Sequence, residues 1–206
     1  MSQTAVSPLS APRPTLRSVT ASLAGTVPGR IALGLAATLV VAAAAHVAFP
    51  LPFTPVPFIL TPLAVLAVGL AFGPMGGFAV LAAYLLEGAC GLPVFSPTGP
   101  GGVAQLVGPT GGYLMSYPLV AMVAGLATRM SPRMPRFLAA TLSGVAAMTI
   151  LFAFGAGWLA HWNEILAPGH VSLQLVAMSA IVPFLPGEIV KVLAAAGIYS
   201  TLRRSR

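Results

Sequence analysis

The chain has 206 residues, 57% of them hydrophobic and only 6% charged, with a formal net charge of +7. A soluble domain carries about a quarter charged residues, so this composition predicts an integral membrane protein. The long apolar runs do not alternate with polar residues, which excludes an outer-membrane barrel and leaves helices as the spans.

Residues 1–28 are rich in Ser, Pro, Thr and Arg and read as a disordered cytoplasmic tail. Residues 29–206 read as one transmembrane domain. The apolar run after Arg30 is about twenty residues long, which is span length rather than signal-peptide length. The first span is placed at Ile31–Phe49, closed by Pro50 and Pro52. An uncharged proline loop follows through Pro57, then a second span at Phe58–Phe72. A tight turn, Gly73–Gly77, leads into a third span ending near Cys90. The uncharged loop Gly91–Gly112 precedes a fourth span at Tyr113–Thr128. A basic loop through Arg136 leads to a fifth at Phe137–Leu159. A polar segment, Ala160–Val171, holds His161, Trp162 and His170, which read as solvated interfacial groups. The last apolar stretch, Ser172–Leu202, is too long for one span and is broken at Pro183 and Pro186, with the final helix starting near Gly187.

Six spans put both termini on one side. The clusters Arg13/Arg17/Arg30, Arg129/Arg133/Arg136 and Arg203/Arg204/Arg206 then share that side, and the opposite loops carry no arginine. An odd count would move at least one cluster across. The positive-inside rule makes that side the cytoplasm, in a multi-pass protein of the cell membrane. The same distribution excludes a basic stripe for nucleic acid. Trp158 and Trp162 then fall at the outer interface. The lone Cys90 allows no internal disulfide and no metal cluster.

One pair stands out against this apolar background. Lys191 is the only lysine, and Glu188, three residues earlier, is one of three acidic residues. The spacing puts both on one helix face. An unpaired lysine inside a span costs about 2.5–3.5 kcal/mol, and Glu188 offsets part of that. A purely structural ion pair is a poor stabiliser compared with leucine, so the pair points to a held polar ligand.

Catalytic motifs are absent. No G-x-x-x-x-G-K-[ST] sequence, G-x-S-x-G elbow or H-E-x-x-H occurs. An intramembrane enzyme using Glu188 as base would lack a second catalytic group. Binding or transport remains. The loop Gly91–Gly112 carries Leu92, Val94, Phe95, Leu106 and Val107, which predicts that it folds back as a lid over a pocket at the outer face.

Four segments resemble the BioY family, the substrate-binding components of energy-coupling-factor (ECF) biotin transporters. They are Pro52-Phe-Thr-Pro-Val-Pro57, Gly88-Ala-Cys-Gly-Leu-Pro-Val-Phe95, Gly108-Pro-Thr-Gly-Gly-Tyr-Leu114 and Pro186-Gly-Glu-Ile-Val-Lys191. Their order and spacing cover residues 30–202. Two departures stand beside the match. The family's Thr-Leu-Gln after the proline loop is replaced here by Ile59-Leu60-Thr61, and its closing aspartate by Glu188. The latter shifts the carboxylate by about 1.5 Å.

The resemblance implies biotin as ligand, six helices, no cofactor and no enzymatic activity. It implies as partners a transmembrane coupling subunit and two ATP-binding subunits, which use the ATP. Ala32 and Ala36 fit the small-residue pattern by which the family's first helix meets the coupling subunit. For biotin, Glu188 is expected to accept from a ureido N–H. Lys191 donates either to the ureido oxygen or to the tail carboxylate. Tyr113 offers a ring face and a hydroxyl, Thr110 and Gln105 offer hydrogen bonds, and Phe95 packs on the bicycle. Two alternatives of the same class stay open: a component for another vitamin, suggested by Ile59–Thr61, and a solitary biotin transporter.

Overall fold

The computed structural model describes residues 25–166, 168 and 172–202. The tail before residue 25, His170 and the last arginines lie outside them. The described elements are α1 (Val27–His46), β1 (Ala48–Phe49), β2 (Phe58–Ile59), α2 (Thr61–Ala89), α3 (Gly102–Leu106), α4 (Gly111–Gly125), α5 (Ala127–Met130), α6 (Arg136–Leu166), α7 (Leu173–Ala180) and α8 (Leu185–Leu202). Five helical segments are long and apolar enough to cross a membrane: α1, α2, α4 with α5, α6 and α8.

Two compact units divide the chain after Ala36. The described part of the first is the start of α1. Thr26 caps it, its Oγ1 accepting from the Gly29 N–H at 3.2 Å. That cap sets the helix start at Val27, four residues before the expected Ile31. Ala32 and Ala36 are both exposed.

The second unit holds the rest of the fold. Here α1 ends at His46 rather than Phe49, because Ala48 and Phe49 pair antiparallel with Ile59 and Phe58. The expected helix start at Phe58 is thus a strand. Strand pairing satisfies the backbone groups flanking the proline loop, which cannot enter a helix. Thr54 ties that loop down by donating to the Ser179 carbonyl at 2.6 Å. The helix α2 begins at Thr61, with Pro62 in its first turn where a missing N–H costs nothing.

Only Gly73 of the expected Gly73–Gly77 turn leaves helical geometry, at φ 73°. Pro74 then restarts the helix. The break folds the halves of α2 side by side, and a Cβ on Gly77 would lie 3.0 Å from the Gly69 Cα. Gly69 in turn meets the Ala121 backbone of α4, and Gly125 meets the Gly73–Pro74 peptide. These glycines let three backbones touch without intervening side chains.

The long loop is not featureless, since it contains α3, and α4 begins at Gly111 within its expected end. Helix α6 runs to Leu166, past the expected Leu159, so most of the polar segment is helical. His161 is exposed with its ring edge toward Trp158. The break in the last stretch falls at residues 181–184. Helix α8 starts at Leu185, with Pro186 and Gly187 inside its first turn rather than before it.

Substituting Gly69 with valine should lower stability by about 1–3 kcal/mol, because the Ala121 carbonyl leaves no room for a side chain. Thermal melting in detergent measures this. An unchanged melting temperature would contradict the close approach.

Candidate ligand-binding site

A cavity of about 180 Å³ lies within the second unit. Its floor is built from helices, with Tyr113, Leu114 and Tyr117 from α4, Leu151 and Phe152 from α6, and Glu188 from α8. Phe184 and the 55–59 loop-and-strand segment form one side. Residues of the 91–112 loop, from Ser96 to Thr110, cover the rest. The wall is largely apolar with a few convergent polar groups, the usual composition of a small-molecule site.

Among the described residues, Glu188 is the one carboxylic acid in this wall, and no lysine or arginine lines it. It is 5% exposed. Its Oε1 accepts from Lys191 Nζ at 2.6 Å. Its Oε2 is buried and makes no hydrogen bond. Buried carboxylate oxygens without partners are costly, so an acceptor held this way fits a ligand donor.

Lys191 occupies a different place from the expected one. It is buried but outside the cavity wall. Its Nζ donates to the Ile59 carbonyl at 2.6 Å as well as to Glu188. The ammonium also sits 4.3 Å from the centre of the Phe58 ring. Hydrogen bonds and ring therefore engage it from behind the carboxylate. Gly187 makes the fit possible, because a Cβ there would strike the Phe58 ring.

The other expected residues divide. Tyr113 lines the cavity, but its hydroxyl donates to the Ala180 carbonyl at 2.7 Å, so it presents mainly its ring. Gly155 on α6 is the notch that receives this ring, since a Cβ there would collide with it. Thr110 lines the cavity and does not cap α4 with its side chain, which leaves its hydroxyl for other partners. Gln105 lines it while bracing the loop, accepting from the Gly101 N–H at 3.1 Å and donating to the Ser96 carbonyl at 3.3 Å. Phe95 does not line it. Its ring fills a notch at Gly88 and meets Tyr84 edge-on at 5.5 Å between centres.

Several wall residues escaped the sequence reading: Tyr117, Phe152, Phe184, Ser96 and Thr98. Tyr117 lies one helical turn after Tyr113, so its i+4 spacing was a usable signal. Ser96 and Thr98, whose hydroxyls are 2.9 Å apart, follow the Gly88–Phe95 segment directly. Ile59 and Thr61, the departing positions, are both placed here. Ile59 lines the cavity, and Thr61 is fully buried at the start of α2. Among the described residues no group of three His, Cys, Asp or Glu gathers for a metal.

Replacing Lys191 with methionine should cost about 3–5 kcal/mol, because it strands the buried Glu188. Pairing it with Glu188→Gln should recover most of that loss. Melting curves of the two variants measure the difference. Equal destabilisation by the single and the double change would contradict a coupled pair.

Comparison with known proteins places the chain. The sequence profile of the BioY family matches residues 15–206. "Biotin transporter BioY" of Rhodobacter capsulatus is 37% identical over 179 residues, covering 84% of this chain and 92% of that protein. "Biotin transporter BioY" of Thermotoga maritima is 34% identical, covering 75% of this chain and 85% of that protein. A crystal structure of the S-component for biotin from an ECF-type ABC transporter superposes with a TM-score of 0.74 at 23% identity, covering 85% of this chain and 90% of that one. The last likeness shows the fold. Together the profile and the relatives show that the chain belongs to the BioY family.

Proposed function

We propose that this chain is the biotin-binding membrane component of an uptake transporter, and that the cavity beside Glu188 holds the vitamin. The observation that carries the reading is the buried Glu188 Oε2, an acceptor without a partner in the cavity wall. Biotin's ureido ring has two N–H donors, and its bicycle is compact and apolar. Glu188 takes one N–H. Tyr113, Tyr117, Phe152 and Phe184 supply apolar and aromatic surface for the rings. Among the described residues no lysine or arginine lines the wall, and hydroxyl and amide donors on the loop side, from Ser96, Thr98, Thr110 and Gln105, hold the tail carboxylate.

Lys191 acts behind the site. Its hydrogen bond to Oε1 fixes the Glu188 rotamer, while its remaining contacts go to Ile59 and Phe58. Phe95 likewise acts as an anchor of the loop rather than as a ligand contact.

Family membership makes the protein a multi-pass protein of the cell membrane engaged in transport, not an enzyme. Its finer topology is part of the proposal. The fold-back at Gly73 turns the 29 residues of α2 into two short crossings, which gives six with α1, α4/α5, α6 and α8. Both termini then face the cytoplasm beside Arg129 and Arg133, and the 91–112 loop is the outer lid. Energy comes from elsewhere: a transmembrane coupling subunit and two ATP-binding subunits. The exposed Ala32 and Ala36 of α1 are the proposed contact with the coupling subunit. The related proteins named above are named for biotin, which favours it over another vitamin.

Radiolabelled biotin binding to the purified protein tests the reading. The wild type should bind tightly. Glu188→Gln should weaken binding by at least about tenfold, since it removes a charged acceptor worth about 1.5–3 kcal/mol. Equal affinity in both would remove Glu188 from the site, and no binding by the wild type would remove the ligand.

A further inference from the structure

Among the described residues, two side-chain hydrogen bonds tie the loop that covers the cavity to the helices, and they differ in burial. Near its start, the Tyr84 hydroxyl of α2 donates to the Val94 carbonyl at 2.9 Å. That contact is buried, and the adjacent Phe95 ring is 4% exposed in its notch at Gly88. Near its end, the Trp158 indole N–H of α6 donates to the Gly108 carbonyl at 2.8 Å. This second contact is only partly buried. Trp158 itself does not line the cavity, whereas Gly108, Pro109 and Thr110 do.

Breaking the first bond leaves a donor and an acceptor in apolar surroundings and withdraws an aromatic ring from its socket. Breaking the second costs less, because the Gly108 carbonyl still accepts from the Gly111 N–H at 3.0 Å and the indole is only half-buried. The bond at Gly108 is therefore the weaker hold on the loop, and Val94 with Phe95 is the firmer one. Trp158 seats against Gly111 and Gly112, where a side chain would clash with the indole and with the Phe154 carbonyl. The two glycines let the indole sit close enough to reach the Gly108 carbonyl.

We infer that Trp158 is a latch: its hydrogen bond to Gly108 holds the loop closed over the ligand, and its release sets the rate at which ligand enters and leaves. The inference rests on the biotin-binding reading above. Trp158 is a positioning residue that acts through the loop without touching the ligand. A latch and a structural prop differ in their kinetics. Loss of a prop speeds release without speeding entry. Loss of a latch speeds both, because the same opening serves both directions.

The test uses the full-length protein in lipid nanodiscs with radiolabelled biotin. Association and dissociation are measured for the wild type, Trp158→Phe and Trp162→Phe. Trp158→Phe keeps an aromatic side chain and removes the donor together with the five-membered ring that carries it. It should raise both rates about three- to tenfold, as expected for loss of one hydrogen bond, while Trp162→Phe leaves both unchanged. Unchanged rates in Trp158→Phe, or faster release without faster entry, would overturn the latch while leaving the binding site intact. Absence of biotin binding by the wild type would instead overturn the function and the latch together. The native indole supplies an independent reading. In Trp162→Phe, Trp158 is the sole tryptophan. Saturating biotin should reduce acrylamide quenching of its fluorescence, and equal quenching with and without biotin would also overturn the latch.

Discussion

The contact on which the site depends is the three-way seat of the Lys191 ammonium. One bond goes to Glu188 on its own helix and one to the Ile59 carbonyl on β2, with the Phe58 ring beside them. A buried charge in a membrane protein persists only where its hydrogen-bond needs are met. Meeting them draws the first turn of α8 against the strand that opens α2. The result is a carboxylate whose near oxygen is held by the cation and whose far oxygen is buried without a hydrogen-bond partner. Substitution of the lysine would therefore disturb the fold and the site together.

Close backbone approach does the rest of the construction. Gly69, Gly77 and Gly125 bring the halves of α2 and α4 together, so this end of the bundle is held by helix-on-helix contact. At the cavity end, Gly88, Gly155 and Gly187 each accept an aromatic ring, from Phe95, Tyr113 and Phe58. Aromatic rings set into glycine notches keep the pocket walls stiff without filling the pocket. Stiff walls reduce what binding must order, which favours affinity.

Much of this was legible in the sequence, and the parts that were not have physical reasons. The Glu188–Lys191 pair, the break near Pro183 and the membrane class follow from local spacing and composition. The partner of Lys191 does not, because the Ile59 carbonyl lies 132 residues away and any residue has a carbonyl. The sequence reading therefore assigned the lysine to the ligand. Phe95 lies outside the cavity wall, and the sequence does not show it for a similar reason. Its ring turns back onto Gly88, and an aromatic residue in a loop gives no sign of which way it faces. Tyr117, Phe152 and Phe184 were hidden because the helices are apolar on lipid-facing and core-facing sides alike, so periodicity does not mark the interior. The two-residue strands beside the proline loop are too short to leave a pattern. The tight turn at Gly73 was read correctly from Gly-Pro, although one residue rather than five carries it.

The two departures from the family's usual motifs now have positions. Ile59 contributes its carbonyl to Lys191 and its side of the cavity wall, so an apolar residue there is compatible with both roles. Glu188 reaches farther than aspartate, and Lys191 anchors that longer side chain. A structure of the protein with biotin bound is the most direct test of this arrangement. A ureido N–H should lie within about 3.2 Å of Glu188 Oε2, with Lys191 still bonded to the Ile59 carbonyl. Biotin bound with its tail carboxylate on a Lys191 released from Ile59, and its ureido ring away from Glu188, would contradict it.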